Sequence, residues 1–520
     1  MSIGDALSIR PKNPRHAPLV EIAAKFALRA TAPLEGLTAN GVTLDSRDVR
    51  SGDLYLALPG TNRHGADFAA QAADRGAVAI LTDAAGAKIA RAAKTPIPVL
   101  VTDAAPRSIA GAVAAAVYGT AETTAKTFGI TGTNGKTSVV YMLAELLGAA
   151  GYTTGLSSTA ERRIGDEVIV SNLTSPEAPE LHGLLARMAE KHVDGIALEV
   201  SAHAVERHRI DGVRFDVVAF NNFSQDHLDD FGDMETYFAA KLALFSPEHA
   251  ERGVVVVDSP HGQRIAREAQ IPVTRLSTEY GQEADWHLAI TNQNLDGVSF
   301  VLQGPEGAMF RGSVPVFGRF MAENAALALI MLHEAGIPLE QVDGGLDRGR
   351  IPVYIPGRLE LMSNPEPGAT GPRFYVDYGH TPGAFGAMLD ALGEVAPGRI
   401  IFMFGADGDR DTTKREEMGR IAAAGSDVLI VCDYHPRSEP PESIRAQLIA
   451  GARSANHAEI IEEGDPRAAI RLAISLAGPD DVILYAGPGH EDYQEVAGQY
   501  IPYSARDEVR GALREAGLLK

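Results

Sequence analysis

Short apolar runs alternate with helical stretches along almost the whole chain. Leu54–Leu58 and Ala77–Leu81 read as strands, with a helical stretch Phe68–Arg75 between them. That pattern predicts a small α/β unit in the first part of the chain. Further on, Ile196–Val200 and Phe215–Phe220 are continuous apolar runs, the form taken by strands buried on both faces. Helical patterns at Val139–Leu147 and Met234–Phe245 flank them. The last third repeats the alternation with Phe374–Val376, Ile400–Phe404, Val428–Val431 and Val482–Tyr485. Strands alternating with helices predict parallel sheets covered by helices. The expected fold class is therefore α/β in three domains, at residues 1–122, 123–355 and 356–520. The segment Ser363–Pro372 is rich in proline and glycine and reads as a loop or hairpin excursion.

Composition narrows the function. A length of 520 residues suggests roughly three or four domains. Hydrophobic content of 45% with 22% charged residues is ordinary for a globular protein with real cores. The net charge of -21 argues against a non-specific nucleic-acid binder or a partner of anionic membranes. An anionic substrate then needs local basic pockets. Cys432 is the single cysteine, which excludes an intramolecular disulfide and a cysteine zinc cluster. A reducing, cytoplasmic setting is expected. The first 17 residues mix charges and prolines without the apolar core of a signal peptide. No run of about 18 apolar residues occurs, so no membrane span is expected.

The sharpest chemical signal is Gly129-Ile130-Thr131-Gly132-Thr133-Asn134-Gly135-Lys136-Thr137-Ser138. It lies where a strand gives way to a helix. A glycine-rich turn there aims backbone N–H groups at a phosphate on the helix N-terminus. Lys136 adds a point charge for the β/γ-phosphates, and the Thr137 hydroxyl suits Mg²⁺. Ile130 stands where the strict phosphate-loop pattern wants glycine, so the loop is a variant. In sheets of this kind, ligands bind beyond the C-terminal strand ends. Glu199, Ser201 and His203 lie at one such end, and Asn221 to His227 at the next. Glu199 and His227 suit Mg²⁺ beside a nucleotide. Read singly, Glu199 equally suits a satisfied buried carboxylate, and His227 a helix cap.

Ordered motifs along the whole chain make it resemble the Mur ligases, and among them the UDP-N-acetylmuramoyl-tripeptide synthetase (MurE) family. They include Thr43-Leu44-Asp45-Ser46-Arg47, the phosphate loop, Leu173-Thr174-Ser175-Pro176-Glu177, and Leu198-Glu199-Val200-Ser201-Ala202-His203. Arg209-Ile210-Asp211-Gly212, Asn222 to Asp229, Tyr237 to Lys241, and Gly357-Arg358-Leu359-Glu360 follow. Asp377 to Pro382, Gly408-Asp409-Arg410-Asp411 and Gly489 to Tyr493 complete the set. The resemblance implies a uridine-nucleotide domain, a central phosphate-loop ATPase domain with a parallel sheet, and a Rossmann-like third domain. It implies ATP-dependent amide-bond formation through an acyl phosphate. One diamino acid is added to UDP-N-acetylmuramoyl-L-alanyl-D-glutamate for peptidoglycan. A folylpolyglutamate synthetase-like ligase and a non-catalytic nucleotide-binding relative are the alternatives.

The resemblance also implies the roles of residues. Gly132, Thr133, Asn134, Gly135, Lys136, Thr137, Ser138, Asn324, Arg358 and Asp377 are expected at ATP. Ser46, Thr174, Ser175, Ser201 and Arg209 are expected at the UDP-substrate. Thr137, Glu199 and His227 are expected to hold Mg²⁺. Lys241 is expected to join them as a carbamate formed from CO₂, since a bare ammonium would repel the metal. Lys136, Lys241 and His227 are the expected catalytic groups. Met321 stands where the family usually carries asparagine. For the incoming amino acid, Arg410, Tyr434, His435, Arg437, Gly487 and Glu491 are expected. Tyr434-His435-Pro436-Arg437 replaces the Asp-Asn-Pro-Arg of relatives that add meso-diaminopimelate, and Pro488 replaces a lysine. The retained Arg437 tips the expectation slightly to diaminopimelate, with L-lysine or L-ornithine left open. The expected partners are small molecules alone, for a monomer.

Overall fold

Residues 29–101 build the first sheet. Its five strands run in the order Arg29–Ala30, Val99–Val101, Ala79–Thr82, Asp53–Leu56, Gly41–Thr43, parallel except for the first pair. Helix Pro106–Tyr118 closes one face, burying Val113, Ala114 and Val117 completely. The computed structural model describes residues 9–170, 174–363 and 371–519. Leu173 and most of the proline- and glycine-rich excursion after Ser363 lie outside the described residues.

The second sheet has eleven strands among the described residues. Its centre is parallel, in the order Thr154–Ser157, Gly195–Glu199, Lys126–Thr131, Phe215–Phe220, Ala250–Val256, Val273–Ser277. Both edges turn antiparallel, at Glu161–Val170 and at Trp286–Val314. The expectation of a parallel sheet thus holds for the centre. The edges are hairpins with alternating burial, such as Gly297–Gln303, and that period-2 signal is weaker than a continuous apolar run. Helix Lys136–Ala149 is buried nearly all round, with Val139 to Leu143 fully enclosed. It is sandwiched between the sheet and helix Arg319–Glu334, whose Ala325 to Leu332 are equally enclosed. A helix apolar on all sides belongs inside a domain.

The third sheet has six strands, in the order Glu360–Leu361, Arg373–Asp377, Val482–Ala486, Ile400–Phe404, Val428–Val431, Glu459–Glu462. All pairs are parallel except the first. Its C-terminal strand ends face the phosphate loop. Arg358 donates to Thr137 Oγ1 at 3.0 Å, and Gln225 Nε2 donates to Thr413 Oγ1 at 3.0 Å. Lys414 pairs with Asp226 at 3.2 Å, both nearly buried. No helix among the described residues is long and apolar enough to cross a membrane.

The first sheet's layer meets the second through a backbone contact that only glycine permits. A Cβ on Gly111 would lie 2.1 Å from the Asp211 carbonyl oxygen. His182 bridges the same place, with Nε2 2.9 Å from that oxygen and Nδ1 2.6 Å from Thr120 Oγ1. Burial holds its imidazole down at about 4, so it is neutral. Gly111→Val should act as overpacking, costing about 1–3 kcal/mol. We expect a melting temperature lowered by a few degrees. Unaltered melting by calorimetry would contradict this reading of the contact.

Candidate active site

The phosphate loop leaves strand Lys126–Thr131 and enters helix Lys136–Ala149 through Gly135, at φ +86°. Asn221 and Asn222, at the end of strand Phe215–Phe220, pin its outer side. Thr133 N donates to Asn222 O at 3.0 Å, and Asn134 N donates to Asn222 Oδ1 at 2.9 Å. Asn221 Nδ2 donates to Asn134 O at 3.2 Å and to Asn324 Oδ1 at 2.7 Å. The amides of Thr133 and Asn134 therefore brace the loop. Donors for a phosphate are left to the start of the helix, where N–H groups have no carbonyl ahead of them. Lys136 Nζ turns back to Gly132 O and Thr133 O, both at 2.9 Å. Burial lowers its pKa, while Glu199 and Asp226 pull it up.

Lys241 converges on the same carbonyl. Its Nζ donates to Gly132 O at 2.8 Å and lies 4.4 Å from the centre of the Tyr237 ring. The side chain is 1% exposed. Burial, and then the neighbouring Lys136, hold its ammonium well below the ordinary lysine range. Helix Met234–Leu242 places it, ending one turn earlier than the sequence pattern suggests. Glu199 is buried and accepts from Thr159 N at 2.9 Å and from Thr159 Oγ1 at 3.0 Å. His227 sits in the left-handed region at φ +57° and heads the short helix Leu228–Phe231. Burial takes its imidazole down to about 4 despite Asp226, so the ring is neutral.

Among the described residues, no three His, Cys, Asp or Glu side chains are grouped to hold a metal ion. Among the donors that share the cavity are the Thr137 hydroxyl, the Glu199 carboxylate and the His227 imidazole. That set fits Mg²⁺, which keeps several waters and takes few protein ligands beside phosphates.

A cavity of about 740 Å³ joins these groups to the third domain. Gly135, Ser138, Asn324, Arg358 and Asp377 line it, with Phe320, Met321 and Met388 at its apolar end. Asp377 is buried and accepts from Leu359 N at 2.7 Å and Gly379 N at 2.5 Å. Burial raises its pKa against the pull of Arg358. Thr174, Ser175, Ser201 and Arg209 line the cavity too. Arg209 is paired with Glu177 at 2.9 Å. Ser46 is set apart on the first domain, donating to Gln71 Oε1 at 2.9 Å, and is not in this lining.

A second cavity of about 150 Å³ adjoins the first, lined by Arg410, Tyr434, His435, Arg437 and Glu491. Glu491 is clamped: the Tyr434 hydroxyl and His435 Nε2 (2.8 Å) both reach its Oε2, and Tyr378 OH reaches Oε1 at 3.3 Å. Burial works to raise its pKa, but the His435 and Tyr434 contacts keep it low. His435 Nδ1 accepts from Glu495 N at 2.8 Å, which leaves the proton on Nε2 for Glu491. Gly487, at φ +117°, donates to Asp377 O at 3.0 Å and is not in this lining.

Families of known proteins match all three parts of this architecture. The Mur ligase family, catalytic domain, matches residues 38–117. The Mur ligase middle domain matches 130–332, and the Mur ligase, glutamate ligase domain, matches 357–489. The chain belongs to the Mur ligase family. It is an ATP-dependent amide-bond ligase. It is similar to a UDP-N-acetylmuramyl-tripeptide synthetase of Leifsonia xyli subsp. xyli, at 54% identity over 98% of this chain and 99% of the relative. It is also similar to a UDP-N-acetylmuramoyl-L-alanyl-D-glutamate--2,6-diaminopimelate ligase of Streptomyces coelicolor, at 40% over 97% and 98%. A solved structure of a ligase with that same name superposes with a TM-score of 0.65 at 27% identity, covering 97% of this chain and 100% of the other.

Thr133 and Asn134 line the main cavity, with their amides bonded to Asn222. Ser46 lies on the first domain, outside that lining. Arg437 lines the second cavity, with Asp407 and Glu495 each at 2.9 Å. Sequence reasoning missed Thr159, Asp407, Lys414 and Glu495. Asp407 follows the C-terminal end of strand Ile400–Phe404, where ligand-facing residues are to be sought. Glu495 lies on the hairpin Tyr493–Pro502 and carries no such signal.

Lys136→Ala should remove charge from the phosphate site and lower kcat by about 10²–10³-fold or more. Circular dichroism should show the fold intact. Wild-type turnover in the folded variant would exclude Lys136 from the chemistry.

Proposed function

We propose that this ligase adds a diamino acid to UDP-N-acetylmuramoyl-L-alanyl-D-glutamate, using ATP to activate the terminal carboxylate. What carries the reading is the meeting, in one cavity, of the loop residues Lys136 and Thr137, the central Glu199 and His227, and Arg358 and Asp377 from the third domain. The match of residues 38–117 to a Mur ligase domain favours a UDP-linked substrate over a folate.

The reaction needs two displacements. A carboxylate oxygen of the substrate attacks the γ-phosphorus, and ADP leaves. The amine then attacks the acyl carbon, loses its proton to solvent or a nearby carboxylate, and expels phosphate. Charge on the transferring phosphoryl group is spread by fixed cations and dipoles. Lys136 and the first-turn amides face it from the central domain, and Arg358 from the third. Arg358 lies over the Tyr378 ring at 4.4 Å, which fixes its direction. Asp377 is buried against the turn that carries Arg358, holding the Leu359 amide. Seating of the third domain excludes water from an intermediate that water would hydrolyse. Thr137, Glu199, His227 and carbamylated Lys241 would hold Mg²⁺, which supplies Lewis-acid polarisation of the phosphates. Burial holds the Lys241 ammonium well below the ordinary lysine range, and the free amine is the nucleophile that attacks CO₂; that supports carbamylation at Lys241.

Two measurements test this. With ¹⁸O in the substrate carboxylate, one label should appear in the released phosphate; unlabelled phosphate would rule out acyl-phosphate chemistry. Lys241→Ala should nearly abolish ligation, with partial rescue by a short carboxylic acid. Trapping of ¹³CO₂ as a stable carbamate should label Lys241 in active enzyme. Active enzyme without that label would exclude the carbamate.

A further inference from the structure

The identity of the incoming amino acid turns on Arg437. A guanidinium recognises a carboxylate through parallel N–H bonds, and so needs at least one open edge. Here each nitrogen has one neighbour: Nε donates to Glu495 Oε2 at 2.9 Å, Nη1 donates to Gly408 O at 2.8 Å, and Nη2 lies in ion-pair contact with Asp407 Oδ1 at 2.9 Å. Two carboxylates over-neutralise one guanidinium. The backbone fastens the arrangement: Arg437 N donates to Glu495 O at 3.0 Å, and Ala497 N donates to Arg437 O at 2.7 Å. To bind a substrate carboxylate, Arg437 would have to leave a partner and bring the new anion beside the abandoned one.

The rest of the cavity has the same sign. Its lining carries five carboxylates against Arg410, Lys414 and Arg437. Lys414 is already paired with Asp226, and Arg437 as described. Arg410 is half exposed and only loosely held, 3.4 Å from Asp229, which leaves it to meet an α-carboxylate. Glu491 faces the cavity with its carboxylate held in place by Tyr434, His435 and Tyr378, ready for an ammonium. At neutral pH a diamino monocarboxylic acid carries one net positive charge, and diaminopimelate carries none. The excess of negative charge favours the first.

Resting on the ligase function proposed above, we infer that Asp407 and Glu495 silence Arg437, so that the chain selects a diamino monocarboxylic acid such as L-lysine or L-ornithine over meso-diaminopimelate. Glu491 holds the distal ammonium, and Asp407 and Glu495 are positioning residues that act through Arg437. This reverses the preference that the retained arginine alone suggests.

The test compares kcat/KM for L-lysine, L-ornithine and meso-diaminopimelate with the full-length enzyme, ATP and the UDP-muramoyl dipeptide. Wild-type enzyme should favour one of the monocarboxylic diamines by at least about tenfold. Asp407→Ala should free Nη2 of Arg437 and raise the diaminopimelate-to-lysine ratio by at least about tenfold. Glu495→Gln, on the surface hairpin, should move the ratio the same way if Asp407→Ala does not fold. A structural role alone would lower both substrates together and leave the ratio fixed, which would overturn the inference. So would a wild-type preference for diaminopimelate, with the ligase function intact. Ligation of none of the three would instead sink the ligase function, and the inference with it.

Discussion

The phosphate loop can take only one path, and the rest of the site hangs from it. A Cβ on Gly135 would lie 2.3 Å from Asn221 Nδ2 and 2.7 Å from Asn324 Oδ1. The chain passes between two asparagines that are themselves hydrogen-bonded, and glycine alone fits at φ +86°. Those asparagines come from the end of strand Phe215–Phe220 and from helix Arg319–Glu334. The loop is thus clamped by the same sheet and helix that enclose helix Lys136–Ala149. Core packing and loop geometry are one construction.

That construction gathers positive charge in a chain of net charge -21. Two lysines meet on the Gly132 carbonyl, one from the loop's own helix and one from helix Met234–Leu242. Burial and mutual repulsion make the second ammonium costly. A residue held in that state is either spent as a neutral amine or converted into something else. The cost is recovered only if the site uses it, and the proposed carbamate is such a use.

Much of this was legible in the sequence because the signals were local. Continuous apolar runs marked the central strands, and Phe215–Phe220, Ile400–Phe404 and Val428–Val431 match the observed strands residue for residue. The phosphate loop announced itself by glycine spacing at a strand–helix junction. The antiparallel edges did not, since half-buried hairpins repeat every second residue over short spans. Nor did the bracing of Thr133 and Asn134 by Asn222, nearly ninety residues away, or the Thr159 clamp on Glu199. Contacts between distant segments leave no mark in either segment alone.

Arg437 shows the consequence most clearly. Its residue type and its place in a motif speak for a carboxylate receptor. Its function depends instead on what faces it, and those groups come from two other elements, a strand end at Asp407 and a hairpin at Glu495. A guanidinium with no acid beside it is a receptor; the same guanidinium between two carboxylates ties a hairpin to a loop. The energy that would pull it onto a substrate carboxylate has to exceed that of two ion pairs already in place, and a partly buried cation does not give those up without leaving a carboxylate unpaired. Tyr434 and His435 fit that reading, since both serve Glu491, the acid suited to an ammonium. Substitutions that look like losses against the diaminopimelate motif are then parts of one coherent change in the charge that the cavity accepts.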